Sequence, residues 1–516
     1  MHKTALRVVQ AGAIAVVLAA STHRLFDLDR FFVPKELVLH LTATLAGLLT
    51  LRSIARSAVT KVDVALTAYL LLSVTAALFA QNPWLAMRAL ALSASGILLF
   101  WVARALRDAG LATPLLNALA LAVVLAATTS LLQAYGVRLE LFSLSRAPGG
   151  TLGNRNFVAH AAAFGFPVVL LAALRAGSSL GYLAGGAGAA AVTASLVLTR
   201  SRAAWLAFAA MAVVFLFSTF RFDRRTNLRL LGVLVLIGGG VAAALLLPNR
   251  LRWNSDNPYL ESVKGVVNYE EGSGRGRLIQ YQQSMLMAVR TPLVGVGPGN
   301  WAVEYPEHAA RRDPSLDPNT PGMTYNPWPS SDWVAFVAER GLFAAALLAF
   351  AFVMLALRRE EDPLVAAARV ATVVAAVVAG AFDAVLLLAL PALLVWTALG
   401  ALSGGAAAAS AADIETAEPD GLRARRSRWI VAVLVLLLSL GGALRSGGQL
   451  AAMQIFATRS DRASLERAAM LDPGNFRVRL RLARSGKRAA RCAHAVAAKR
   501  LYPNAEAARR LAGCGD

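Results

Sequence analysis

Apolar stretches close to the length of a bilayer's hydrocarbon core recur along this chain, and any that lies in lipid must satisfy its own backbone as a helix. A spanning helix needs about 20 such residues. Runs of this kind fall near 5–21, 35–51, 62–80, 87–103, 113–133, 156–174, 180–198, 203–219, 228–247, 331–357, 364–382, 384–402 and 429–445. The pattern predicts an all-α fold, a polytopic membrane helix bundle of about 13 transmembrane helices.

Composition agrees. Of 516 residues, 57% are apolar and only 16% charged, with a mean hydropathy of +0.55, where soluble domains carry about 25% charged residues. The formal charge of +22 does not read as a nucleic-acid footprint, because Lys and Arg flank the apolar runs or crowd the tail. No nucleic-acid partner is expected. Cys492 and Cys514 both come late, so neither a disulfide framework nor a cysteine-rich metal site organises the main body. If the tail is exported, the two can pair. Residues 1–20 carry Lys3 and Arg7 before an apolar core ending Ala19-Ala20-Ser21, which is also how a signal peptide begins. The spans that follow at once favour an uncleaved first helix.

Basic residues beside short loops set the orientation. Arg52, Arg56 and Lys61 share one loop, Arg104 and Arg107 another, and Arg221, Arg224, Arg225 and Arg229 a third. Arg358, Arg359 and the cluster from Arg423 to Arg428 continue the alternation. All lie on one side if the N-terminus is cytoplasmic, and an odd number of spans then puts the C-terminus in the periplasm. The expected organisation is a membrane domain at 1–402 that includes a periplasmic loop domain at 248–330. A cytoplasmic linker at 403–428, a last span at 429–445 and a periplasmic tail at 446–516 follow. The linker is Ala/Gly/Ser-rich, then acidic, then basic, without apolar periodicity.

In the tail, Leu471-Asp-Pro473 and Leu501-Tyr-Pro503 each precede an amphipathic run, which suggests two degenerate helical repeats. They resemble tetratricopeptide-like hairpins. Residues 446–516 hold fourteen Lys/Arg against five Asp/Glu, a charge suited to anionic lipid headgroups or phosphorylated glycans, or simply a solvated basic face. Two repeats are few for a free-standing solenoid, so the tail should lean on the membrane domain or on a partner protein.

Four polar segments interrupt the apolar pattern on the predicted periplasmic side. Arg146-Ala-Pro-Gly-Gly-Thr-Leu-Gly-Asn-Arg-Asn156 has glycines for an irregular turn, and Asn154 and Asn156 either bind hydroxyls or cap the next helix. Leu198-Thr-Arg-Ser-Arg-Ala-Ala-Trp205 puts Arg200 and Arg202 at the membrane surface, where planar guanidinium groups can hold a diphosphate or anchor in the headgroup zone. Gly272-Ser-Gly-Arg-Gly-Arg-Leu-Ile-Gln-Tyr281, with Arg275 and Arg277, leads on to Pro292-Leu-Val-Gly-Val-Gly-Pro-Gly-Asn-Trp301. These glycines belong to no strand-to-helix unit, so they read as a shaped loop and not as a dinucleotide fingerprint. Asn326-Pro-Trp-Pro-Ser-Ser-Asp-Trp333 starts a long helix with Ser330, Ser331 or Asp332 as its cap.

Taken in order, these segments resemble the O-antigen ligase and polymerase superfamily of bacterial membrane glycan transferases. Gly150-Thr-Leu-Gly-Asn-Arg-Asn-Phe is similar to that family's Gly-Thr-Phe-Gly-Asn-x-Asn, Ser201-Arg202 to its Ser-Arg pair, and Arg277 with Tyr281 to its Arg-x-x-x-Trp. Pro292 to Asn300 matches as well. The resemblance implies inverting transfer of a glycan from undecaprenyl diphosphate to a hydroxyl of a lipid or glycan acceptor, at the periplasmic face of the inner membrane, without metal or other cofactor. Arg202 and Arg277 are the implied catalytic cations, with Arg200, Arg275, Asn154 and Asn156 binding substrate. The chain departs from ligases of this kind at one point, because Ser330-Ser331-Asp332 stands where a histidine begins the helix before Glu-x-Gly. Asp332 and His308 are the candidates for the missing base, and Asp383 is a further polar intrusion between two apolar runs, expected to face protein or water in a structural hydrogen bond rather than to act in catalysis. Two other functions compete: a transporter or flippase of lipid-linked sugars, and a noncatalytic scaffold whose tail recruits glycan-assembly proteins.

Overall fold

The computed structural model describes residues 1–23, 25–26, 28–143, 146–265, 272–403 and 420–513, with backbone only at 272–273 and 420–425. Among them the regular structure is helical, with one isolated bridge between Leu316 and Thr324. The chain opens with α1 (His2–Leu18), α2 (Asp29–Arg56), α3 (Lys61–Leu78), α4 (Pro83–Asp108) and α5 (Ala112–Ala134). Next come α6 (Arg155–Leu174), α7 (Ser179–Thr199), α8 (Arg202–Ser218) and α9 (Arg224–Leu246). The loop region holds α10 (Pro258–Lys264), α11 (Gly272–Arg290) and α12 (Trp301–His308). The bundle resumes with α13 (Asp332–Leu357), α14 (Pro363–Phe382), α15 (Ala389–Leu402) and α16 (Asp420–Thr458). The tail forms α17 (Arg462–Leu471), α18 (Phe476–Ala483), α19 (Arg488–Leu501) and α20 (Glu506–Ala512).

Among the described residues eleven helices are long and apolar enough to cross a membrane, against the thirteen runs expected. The other two runs form α1, of 17 residues, and α15, of 14. At 1.5 Å per residue α15 extends only about 21 Å, less than a hydrocarbon core of about 30 Å. Its run begins at residue 384, but the amides of Val385 and Leu386 donate to the Asp332 carboxylate (3.0 and 2.8 Å) and not to a preceding turn, so helix starts only at Ala389. Every residue of α15 is buried, packed by α2, α4, α5, α6 and α14. This helix is therefore core and not lipid-facing wall.

Polar side chains at the helix ends take up the first-turn amides that no preceding turn can satisfy. Thr60 and Asp63 form a capping box on α3, Asn82 precedes Pro83 on α4, and Asp362 precedes Pro363 on α14. Some polar groups inside the bundle are paired with one another across helices. His40 Nδ1 lies 2.7 Å from Ser95 Oγ, which lies 2.8 Å from Ser439 Oγ, joining α2, α4 and α16. Arg88 meets Glu36 through Nε and Nη2 (2.8 and 2.6 Å). α16 occupies the end of the expected linker and continues past the expected span into the tail; residues 404–419 of that linker lie outside the described residues.

The tail consists of two helical hairpins, α17 with α18 and α19 with α20, at the same end of the bundle as the loop region. Asn82 Nδ2 donates to the Leu501 carbonyl (3.2 Å), Asn504 Nδ2 to that of Val303 (3.3 Å) and the Glu506 amide to that of Pro321 (3.0 Å). It leans on the membrane domain. The expected Cys492–Cys514 pairing lies outside the described residues at Cys514.

Candidate functional site

The loop from Pro292 to Asn300 is stitched to a break in α13. Gly341 has φ 80° and ψ 167°, a backbone that interrupts the helix and frees hydrogen-bonding groups at Ala338 and Glu339. Val296 and Gly297 donate to the carbonyls of Ala338 and Glu339 (both 2.9 Å), and Leu342 donates to that of Pro292 (2.9 Å). The Glu339 carboxylate then accepts the amides of Gly299 (2.7 Å) and Trp301 (3.2 Å). Two of the sequence segments thus form one rigid unit. Below it Trp301, Tyr305, Ala302 and Met287 make a small core joining α11 and α12.

That unit fixes α11. Gln280 Oε1 accepts the Ser330 amide (2.6 Å), and the Tyr281 hydroxyl donates between the carbonyl oxygens of Ser330 (2.6 Å) and Ala381 (3.1 Å). Arg277 stands four residues before Tyr281, hence on the same helix face. It lies within electrostatic reach of His160 on α6, as does Asp383 at the end of α14. His160 Nε2 is 3.8 Å from Asp383 Oδ2, and Asn156 Nδ2 donates to the same oxygen at 3.4 Å. The His160 side chain is 1% exposed and that of Asp383 14%. Neither imidazole nitrogen has a hydrogen-bond partner among the described residues.

A second group gathers at the start of α6. Arg200 closes α7 in a left-handed conformation (φ 56°), which turns the chain so that Arg200 and Arg202 both sit at the loop end. Such a backbone costs about 1–3 kcal/mol in a residue with a side chain, and persists only where neighbours hold it. Here Ser262 accepts from Arg200 Nε (2.8 Å), and the guanidinium groups of Arg200 and Arg155 both lie over the Trp253 ring (4.7 and 4.9 Å). Burial holds the Arg200 guanidinium below its ordinary pKa, while the Glu261 charge pulls the other way. Arg202 donates to the Gly265 carbonyl, and Arg146 and Arg200 both act electrostatically on Arg155. Arg155 and His160 are five residues apart on α6, about 7.5 Å along the axis, so the first two turns of that helix join the two groups.

Several expected site residues serve otherwise. Asp332 is fully buried, and its two oxygens accept the amides of Val385 and Leu386, which makes it the brace of the α14–α15 break instead of an open base. His308 lies beside Arg290 (3.2 Å) at the far end of α11, thirteen residues and about 20 Å along the helix from Arg277. Partial burial and the Arg290 charge lower its pKa. Arg275 is exposed, two residues and so about 200° around the helix from Arg277. Asn154 caps α6 by accepting the Asn156 amide (3.0 Å), and Ser331, not Asp332, caps α13. Asn156 does reach the site, through Asp383. His160 went unread in the sequence. The available signal was a lone ionisable residue within an apolar helix, six positions after Asn154.

Among the described residues no three His, Cys, Asp or Glu side chains gather as a metal-ligating set. The chemistry on offer is a carboxylate and imidazole beside a concentration of guanidinium groups, suited to a dianionic group adjoining a proton acceptor.

Residues 187–349 match the family described as O-Antigen ligase. The matched segment runs from α7 into α13 and takes in Arg200, Arg202, Arg277 and the stitched unit of the 292–300 loop with Gly341. It begins after His160 and ends before Asp383. No curated protein matches the chain. The match supports placing this multi-helix membrane protein with the O-antigen ligase superfamily and supports a glycan-processing function.

Proposed function

We propose that the chain is a glycosyltransferase of the inner membrane that moves a glycan from undecaprenyl diphosphate onto an acceptor hydroxyl at the periplasmic face, as ligase or polymerase. The observation that carries this reading is the joining, at the start of α6, of the basic group around Arg155, Arg200 and Arg146 to the His160–Asp383 pair facing Arg277. The O-Antigen ligase match over the arginine-bearing segments supports the substrate class.

In this reading the acceptor oxygen attacks the anomeric carbon from the face opposite the diphosphate. The carbon–oxygen bond to the diphosphate breaks, its electron pair stays on the departing phosphate oxygen, and the configuration inverts. Arg202 and Arg277, seconded by Arg200, neutralise charge that grows as that bond breaks, so they favour the transition state over the bound donor. Arginine and not a metal ion takes up that charge, as the resemblance implies. The acceptor's proton passes to Asp383, the more exposed member of the pair. His160 stands behind it as a positioning residue, and Asn156 holds the carboxylate oxygen. This arrangement takes the place of the histidine missing near Ser330-Ser331-Asp332.

The test is the glycan made in a deletion strain carrying Arg202→Ala or Arg277→Ala at normal expression. Loss of attached or elongated glycan, with the lipid-linked intermediate accumulating in the periplasm, is expected. Unaffected glycan would overturn catalysis in favour of a scaffold. Retention of the intermediate on the cytoplasmic side would identify a transporter.

A further inference from the structure

Where the tail meets the membrane domain it encloses a cavity of ≈ 370 Å³, within the ~300–1,000 Å³ of small-molecule sites. Its walls come from three parts of the chain: the mouth of the bundle, the loop segment 317–327 and the hairpin turns of the tail. The aromatic rings of Tyr325, Phe476 and Tyr502 line it, interspersed with carboxylates (Asp317, Asp472), amides (Asn475) and four arginines, Arg146 among them. Phe476 and Tyr502 meet edge to face (5.0 Å), which fixes both rings. Tyr325 is 56% exposed and belongs to no core cluster, so a large aromatic ring is offered to whatever enters.

Flat rings among carboxylates, amides and guanidinium groups suit a molecule with apolar faces and a hydroxylated rim. Sugar rings have that form, with C–H faces to lie on aromatics and hydroxyls to donate to carboxylates. An acyl chain would set apolar surface against the charged side chains that line the cavity. The cavity also connects with the arginine group. Arg146 lines it, lies over the Tyr325 ring (5.8 Å) and acts electrostatically on Arg155, which shares Trp253 with Arg200.

We infer that this tail-walled cavity binds saccharide units of a glycan substrate away from the reacting bond, so that the tail is a glycan-binding wall rather than a free recruiting arm. The inference rests on the transferase reading for the identity of the glycan but not for the cavity.

The experiment uses full-length protein in its own cells, with the photoreactive residue p-benzoylphenylalanine at position 325 or, in a second strain, at 476. After irradiation the purified protein is stained for periodate-oxidisable carbohydrate. A carbohydrate-bearing adduct at 325 is expected, persisting in the Arg277→Ala background. It should fall roughly threefold to tenfold on Phe476→Ala, the loss of one aromatic contact of about 0.5–1.5 kcal/mol. Because Phe476 also packs within the tail, the 476 probe with Tyr325→Ala gives the reciprocal test through an exposed residue. An adduct containing only phospholipid, an adduct containing another protein, or no adduct at either position would overturn the inference. Glycan formation measured in the same Arg277→Ala cells reports separately on the transferase reading: that reading fails if formation persists, whatever the adduct shows.

Discussion

Replacing Gly341 with alanine should unstitch the loop that fixes α11. The native φ of 80° with ψ of 167° lies in a region that essentially only glycine occupies, and another residue there costs about 1–3 kcal/mol. A Cβ at this position would stand 2.2 Å from the Leu293 carbonyl oxygen and 2.5 Å from its carbon, so the 292–293 backbone has to move. Moving it strains three backbone hydrogen bonds, those of Val296 to Ala338, Gly297 to Glu339 and Leu342 to Pro292, each worth about 0.5–1.5 kcal/mol. Together these reach about 3 kcal/mol or more, roughly a hundredfold in the population of the stitched loop. Hydrogen exchange of detergent-purified protein reads this at the amides of Val296 and Gly297, which should lose protection while α16 keeps its own. Gly441→Ala is the control: nothing lies within 4 Å of a Cβ there, and a helix-interior glycine replaced by alanine should gain about 0.5–1 kcal/mol. Unchanged protection at Val296 and Gly297 in Gly341→Ala, with an unchanged thermal midpoint, would refute the stitching argument.

Glu36→Gln leaves the Arg88 guanidinium with Asp29, 3.8 Å away, as its charged partner and should cost less than the about 3–5 kcal/mol of a fully orphaned buried charge, with much of it recovered in Glu36→Gln/Arg88→Met; thermal unfolding in one detergent compares the three. Asn82→Ala removes the side-chain bond to the Leu501 carbonyl and the cap on the Trp84 and Leu85 amides, a loss of about 1–3 kcal/mol that should show as faster proteolysis of the tail after Arg459. The lowered pKa of His308 means the folded state takes up its proton less readily than the unfolded chain, so stability around α12 should fall as pH drops below the ordinary value of 6.5. His308→Gln should abolish that pH dependence of exchange in α12 and leave glycan transfer intact.

The bundle was legible because lipid enforces a single rule, a helix for every apolar run, and the run lengths alone carried it. What the runs do not encode is where a helix starts. Residues 384–388 are as apolar as the helix that follows, and the Asp332 carboxylate, 53 positions upstream of Val385, holds them in a turn outside the helix. The arginines were legible because they interrupt apolar sequence at the ends of helices. Composition and spacing do not separate Arg277 from Arg275; the resemblance does, and the two stand on different faces of α11, whose Tyr281 is anchored one turn beyond Arg277. Asp332 stood out by its place before a long helix, yet polar residues at helix starts serve backbone amides as readily as chemistry. His160 was hidden for the converse reason: a polar residue inside a helix that is apolar beyond its first turn has no periodic signature, and its partner Asp383 is more than two hundred residues away.

Single-turnover transfer by the purified protein in lipid nanodiscs, from synthetic undecaprenyl-diphosphate glycan to a panel of hydroxyl acceptors, tests the central claim most directly. Asp383→Asn should slow transfer by about 10²–10⁴-fold, the contribution of a positioned proton acceptor, with donor binding retained. Arg277→Ala should slow it with the leaving group left unneutralised. Transfer by Asp383→Asn and Arg277→Ala at the unmodified protein's rate would contradict the account.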